Sequence, residues 1–292
     1  MDILEIICEE RRAEVARLKK KRPPSTLLRA TSGPRPAFPP RVLGEAEAGA
    51  FPDSRPDRGR PFLIAECKKA SPSRGLMVPD YDPLALAQAY EDGGASVVSV
   101  LTEPRHFLGA DEQLAAVRAA IRLPVLRKDF IVDPWQLRES WALGADAVLL
   151  IAACLEAARL ADFAAEAREL GLSVLVETRE ASELDAALAA RPDAIGVNAR
   201  DLRDFSISGS LPLELLREIA MTAPASLPRV AESGLRDGAA ALALREAGYD
   251  GFLVGEALAT AADPRRATAD FLAAIIGAGS HRLDGDGAGE KT

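Results

Sequence analysis

Eight short apolar runs, each followed by a longer segment of helical period, constrain the fold of this chain more than any other feature. The runs fall at about residues 62–67, 96–101, 124–128, 146–151, 173–177, 194–198, 228–232 and 251–254, and read as strands. Helices are expected to begin near Pro83, Asp111, Pro134, Leu155, Ala181, Pro212, Asp237 and, after the last strand, Pro264. Proline suits a first helical turn because its missing N–H would be unpaired there anyway, and Gly93, Gly144, Gly171 and Gly248 stand where these helices should stop. Strands apolar on both faces must be covered on both sides, which implies parallel strands wrapped by helices. Eight such units close a ring, so the expected class is α/β, a (β/α)8 TIM barrel. A doubly wound open sheet competes, but it usually has fewer strands and often a glycine-rich first turn, which Glu66-Cys67-Lys68-Lys69 is not.

The barrel should occupy residues 61–277, preceded by an extension over 1–60 and followed by a small, polar, disordered tail over 278–292. Ile3, Ile6, Ile7, Val15 and Leu18 among charges give Ile3–Lys20 the pattern of an amphipathic helix lying on something larger. From Pro23 to Pro61 the chain is rich in Pro, Gly and Arg, and reads as a loop or extension with a short helix near Leu43–Ala50.

Acidic residues outnumber basic ones, 44 to 36, which argues against a nucleic-acid partner. The one basic run, Lys19-Lys20-Lys21-Arg22, is better explained as cations at the negative end of a helix dipole. Cys8, Cys67 and Cys154 show no CxxC spacing, and no apolar stretch has the length of a secretory h-region or membrane span. The expectation is a reduced cytoplasmic protein, a monomer or weak homo-oligomer, with no membrane contact. With His106 and His281 as its histidines, the chain has little material for a metal site or a histidine relay, so acid–base work falls to Lys and Glu.

Most of the runs end on a charged or amide residue. Because side chains alternate along a strand, Glu66 and Lys68 share one face, and Lys128, Glu177, Asn198, Arg200, Glu232 and Ser233 lie at or just beyond other strand ends. In a barrel these ends meet at one mouth, where active sites form. A structural ion pair explains any one of them, but buried charges on several separate strands cost several kcal/mol each without a task. A lysine among other cations loses basicity and a nearby carboxylate restores it, so such a cluster is expected to hold a proton donor near neutral pH. Ser233-Gly234 and Gly255-Glu256 follow the seventh and eighth runs, where barrels place phosphate-binding turns, so a phosphorylated small molecule is the expected ligand. Ser71-Pro72-Ser73-Arg74-Gly75 reads as a carboxylate clamp, a mobile lid or a plain surface turn. Phe107 and Phe130 follow strand ends closely, as ligand-facing rings or as core.

The segments Ile64-Ala65-Glu66-Cys67-Lys68-Lys69-Ala70-Ser71-Pro72-Ser73, Leu126-Arg127-Lys128-Asp129-Phe130, Leu175-Val176-Glu177, Ile195-Gly196-Val197-Asn198-Ala199-Arg200, Ala231-Glu232-Ser233-Gly234 and Leu253-Val254-Gly255-Glu256, in this order, closely resemble the indole-3-glycerol phosphate synthase family. The resemblance implies a cofactor- and metal-free enzyme that converts 1-(2-carboxyphenylamino)-1-deoxyribulose 5-phosphate into indole-3-glycerol phosphate, releasing carbon dioxide and water. It implies Lys128 as general acid, Glu177 as the group moving protons in dehydration, Lys68 as a bridge between phosphate and substrate carboxylate, and Glu66 as their orienting carboxylate. Ser71, Asn198, Arg200 and Glu232 match positions that hold hydroxyls and the anthranilate carboxylate, and Ser233, Gly234, Gly255 and Glu256 match the phosphate turns. Ala199, where many relatives carry Asn or Ser, and the segment Arg41–Arg60 depart from the family pattern. Two other readings are a phosphosugar barrel such as phosphoribosylanthranilate isomerase, which works with a Cys/Asp pair, and a non-catalytic barrel module.

Overall fold

The computed structural model describes residues 2–27, 36–38, 60–200 and 211–277. The helix expected near Leu43–Ala50, nearly all of the Arg41–Arg60 segment and the polar tail lie outside the described residues.

Eight parallel strands form a closed barrel in simple sequential order. They are β1 (Phe62–Cys67), β2 (Val97–Leu101), β3 (Val125–Lys128), β4 (Ala147–Ile151), β5 (Ser173–Thr178), β6 (Ala194–Asn198), β7 (Arg229–Glu232) and β8 (Gly251–Val254). The ring shuts where β8 pairs with β1, with Ala65 opposite Val254. Each expected strand is present, its bounds differing by one residue at most from the reading of the sequence.

Helix α1 (Ile3–Lys21) precedes the barrel. The outer layer comprises α2 (Pro83–Asp92), α3 (Asp111–Ala120), α4 (Trp135–Leu143), α5 (Ala157–Glu169), α6 (Leu184–Ala189), α7 (Leu211–Thr222), α8 (Gly238–Ala247), a single turn α9 (Glu256–Ala259) and α10 (Pro264–Ile276). Side-chain oxygens of Asp82, Asp237 and Asp263 cap α2, α8 and α10 by accepting backbone N–H bonds, which satisfies donors that a helix start leaves unpaired. α6 starts three residues later than expected because Ala181–Glu183 winds as a 3-10 turn first. A short hairpin pairing Ala70–Ser71 with Gly75–Leu76 occupies what the sequence suggested was a loop; its two-residue strands are too short to register as an alternating pattern.

Two apolar clusters follow from strand alternation. Ala65, Cys67, Val98, Val100, Val148 and Val176 point outward and pack under the helices, while Phe62, Ile64, Val97, Leu126, Leu175 and Val230 fill the barrel interior. Leu4, Ile7 and Cys8 of α1, with Phe38, belong to the interior cluster, so the N-terminal helix closes over the barrel. The buried stripe of α1 differs from the expected one. It runs Leu4, Ile7, Cys8, Arg11, Val15, with a charged residue at its centre. Arg11 is held by Asp129, which receives Nε at 3.0 Å and Nη2 at 2.5 Å. Two of the four cations that end α1 also bind the barrel: Lys19 pairs with Asp133 at 2.9 Å, and Arg22 pairs with Glu139 and lies over the Trp135 ring. No described helix is long and apolar enough to cross a membrane.

Candidate active site

The same alternation that builds the interior places the polar ends. Along β1 the inward positions run Phe62, Ile64, Glu66; along β3 Leu126, Lys128; along β5 Leu175, Glu177; along β6 Ala194, Gly196, Asn198; and along β7 Val230, Glu232. The earlier members of each series are apolar core. The later ones open onto a cavity of about 440 Å³ at the C-terminal mouth of the barrel. Glu66, Lys68, Ser71, Phe107, Lys128, Phe130, Glu177, Asn198, Arg200, Glu232, Ser233, Gly234, Gly255 and Glu256 all line it. No residue singled out for a site in the sequence is left outside.

Lys128 is the hub. Its Nζ lies 3.3 Å from Glu177 Oε2 and 3.4 Å from Glu232 Oε2. Asn198 Nδ2 donates to Glu177 Oε1 at 2.9 Å, fixing the carboxylate from its other side, and Asn198 Oδ1 in turn accepts the Arg200 backbone N–H at 2.9 Å. Lys68 Nζ pairs with Glu66 Oε2 at 2.5 Å. Lys128 therefore sits between two carboxylates, and this corrects the expectation of a near-neutral ammonium. Burial disfavours the Lys128 charge, but Glu177, Glu232 and Glu66 outweigh it and raise its pKa. Glu232 goes the other way from an ordinary carboxylate. Burial pushes its pKa up to about 8, helped by Glu177 and opposed by Lys128.

The rim is made by loops. Phe107 and Phe130 form one wall with ring centroids 6.1 Å apart. The short hairpin after β1 reaches across the mouth: Ser73 Oγ accepts from Arg200 Nη1 at 3.0 Å, and Arg74 Nη2 pairs with Glu256 Oε1 at 2.5 Å. The second contact turns the Glu256 carboxylate toward the Arg74 guanidinium at the cavity mouth. Ser233 and Gly234 both have positive φ, 65° and 74°, so consecutive left-handed residues turn the chain after β7 before Asp237 caps α8. Gly255 has room for no side chain, since a Cβ would meet the Glu66 carboxylate and the Lys68 ammonium. Ala199 is buried and its N–H bonds the Glu232 carbonyl at 3.0 Å, so the turn after β6 is held by backbone.

Several contributors escaped the reading of the sequence. Asp129 is fully inside a network in which Arg127 Nη2 reaches Asp111, Asp129 and Glu139 at 2.8, 3.1 and 2.9 Å, and Arg11 joins from α1. Arg127 and Asp129 flank Lys128 at the opposite strand parity, which is the signal that a charged network lies behind it. Arg236 lines the cavity two residues past Gly234, and Leu149 and Ile151 supply its apolar floor. Among the described residues no group of His, Cys, Asp and Glu has the arrangement of a metal site.

A closed barrel of parallel strands with a polar cavity at their C-terminal ends is the arrangement shared by (β/α)8 barrel enzymes. A sequence model of the indole-3-glycerol phosphate synthase family matches residues 4–271. Indole-3-glycerol phosphate synthase of Laribacter hongkongensis is 46% identical over 93% of this chain and 99% of its own length, and that of Rhizorhabdus wittichii is 45% identical over 91% and 96%. The chain belongs to the indole-3-glycerol phosphate synthase family. Solved structures add the fold alone: thiamine phosphate pyrophosphorylase of Pyrococcus furiosus superposes with a TM-score of 0.57 at 20% identity, covering 76% of this chain and 98% of that one, and orotidine 5'-phosphate decarboxylase of Pyrococcus horikoshii with 0.55 at 15% identity, covering 73% and 99%. The isomerase alternative gives way on the family match. It also lacks material, because no cysteine is among the residues lining the cavity.

Proposed function

We propose that this chain forms indole-3-glycerol phosphate, the product named for its family, by closing the indole ring of 1-(2-carboxyphenylamino)-1-deoxyribulose 5-phosphate. The observation that carries the assignment of roles is the Lys128 ammonium seated between Glu177 and Glu232 in the cavity. As the aromatic carbon bearing the carboxylate attacks the ketone, negative charge grows on the ketone oxygen, and Lys128 delivers a proton to it. Leaving carbon dioxide then restores the ring electrons. The hydroxyl so formed departs as water while Glu177 moves protons, its second oxygen held by Asn198.

Lys68 bridges the substrate's phosphate and carboxylate, with Glu66 holding it. Ser71, Asn198 and Arg200 take hydroxyls and the anthranilate carboxylate, with Phe107 and Phe130 against the aromatic ring. Glu232, held beside Lys128, faces the substrate hydroxyls. The backbone of Ser233, Gly234, Gly255 and Glu256 takes the phosphate. No cofactor or metal enters these steps. We place the enzyme in the cytoplasm on the strength of its free cysteines, and we expect a monomer or weak homo-oligomer there.

The test is formation of the indole chromophore from the carboxyphenylamino substrate, run beside Lys128→Met. Loss of a positioned acid is expected to reduce kcat about 10²–10⁴-fold with a smaller change in KM. A variant with near-normal turnover overturns the role of Lys128, and an inactive wild type overturns the reaction.

A further inference from the structure

Two of the three cysteines meet where α1 crosses the barrel. Cys8 lies on the buried stripe of α1 and Cys154 in the 3-10 turn Ala152–Cys154 that follows β4. They are 146 residues apart in sequence, yet their sulfurs are 3.0 Å apart, about 1 Å beyond the disulfide bond length. Both thiols are free.

The pair is buried but not sealed. Cys8, Cys154 and Arg12 line a second cavity between α1 and the connections after β4 and β5, which shares Ile151 and Glu177 with the first. Both cysteines therefore border a cavity and not closed core. The two thiols are also unequal. The hydrogen bond between the two sulfurs and the charge of Arg12 lower the Cys8 pKa against the effect of burial, whereas Cys154 is raised well above its ordinary value. Arg12 stays close because its Nη2 reaches the Cys154 carbonyl at 3.5 Å. Two buried thiols at 3.0 Å, one of them beside a guanidinium, have the placement of an attacking and a resolving cysteine.

We propose that Cys8 and Cys154 form an oxidisable dithiol which a small hydroperoxide converts to a disulfide, stapling α1 to the connection after β4. The Cys8 thiolate attacks one peroxide oxygen, an S–O bond forms, the O–O bond breaks and hydroxide leaves, taking up a proton as water. Cys154 sulfur then attacks the resulting sulfenic sulfur, the S–S bond forms, the S–O bond breaks, and the departing hydroxide takes the Cys154 proton. Two thiols and one hydrogen peroxide thus give one disulfide and two waters.

The proposal does not rest on the catalytic roles above, so the test does not use activity. The reduced full chain is treated with hydrogen peroxide, quenched, and its thiols titrated in denaturant with peptide mapping. The expected result is loss of two of the three thiols, a Cys8–Cys154 linked peptide, reversal by dithiothreitol, and survival of Cys67, which is sealed in the layer under the helices. Cys154→Ser is expected to stop at a Cys8 sulfenic acid that dimedone traps, and Cys154→Ala serves if the hydroxyl is not tolerated. Three surviving thiols, over-oxidation of Cys8 without a linked peptide, or a link between two chains overturns the proposal.

Discussion

Gly196 lies directly under the Glu232 carboxylate: a Cβ built on this β6 glycine would overlap Glu232 Oε1. Strand pairing explains the closeness, because β6 and β7 run in register with Gly196 opposite Val230 and Asn198 opposite Glu232. The missing side chain makes the space into which the Glu232 carboxyl folds beside Lys128. Gly196→Ala should therefore swing Glu232 away from Lys128 and cost on the order of 10²-fold in kcat, the scale of a 1 Å misplacement of a catalytic group. Steady-state kinetics beside a thermal melt check this, and normal kcat in a folded variant defeats it.

Glu232 also sets a pH dependence of stability. Its carboxyl has an ordinary value of 4.5 and is held at about 8 in the folded chain. Between these values the folded state binds more protons than the unfolded one, so stability falls as pH rises from about 4.5 to about 8. Glu139, pushed up to about 7, adds to the same slope. Lys128 contributes nothing in this window because it is charged in both states there. Glu232→Gln, which stays neutral, should flatten the fall in urea midpoint across these pH values. An unchanged slope means that Glu232 is ionised in the folded protein.

Arg74 and Glu256 join the short hairpin to the turn after β8, and both side chains are well exposed, at 63% and 38%. Exposed pairs contribute about 0–1 kcal/mol, so Arg74→Ala should leave the melting temperature nearly unchanged. Its effect belongs to ligand capture, since the hairpin crosses the cavity mouth: KM should rise severalfold with little change in kcat. Equal KM in the variant would show that the pair is ornamental to binding.

The barrel and its mouth were legible because strand alternation and strand count are local patterns. Once eight runs were found, parity put Glu66, Lys128, Glu177, Asn198 and Glu232 on the inner face. The protonation states were not legible. They depend on which strand neighbours which charge, and the barrel turns an expected crowd of cations into a lysine ringed by carboxylates. The Gly196–Glu232 contact and the Arg74–Glu256 pair, 182 residues apart, need the closed ring as well. So does the Arg11–Asp129 pair, which joins α1 to the residue next to Lys128 across 118 positions. A periodicity argument puts an apolar residue where Arg11 sits, because it cannot see the carboxylate waiting there.

That last pair gives the sharpest stability prediction. Arg11 and Asp129 are 4% and 0% exposed, and the guanidinium makes two bonds to the carboxylate. Removing one partner of a buried ion pair typically costs about 3–5 kcal/mol because the other is left without compensation. Here Asp129 keeps Arg127 and a Thr102 hydroxyl bond of 2.8 Å, so Arg11→Met should fall at or below the lower end, about 3 kcal/mol. Asp129→Asn should cost more, since it leaves two guanidinium groups, Arg11 and Arg127, facing a neutral amide. In the double variant the costs should be less than additive, as for groups in one network. Denaturant unfolding of the three variants decides: strict additivity would mean that α1 is held by its apolar stripe alone and that the ion pair merely accompanies it.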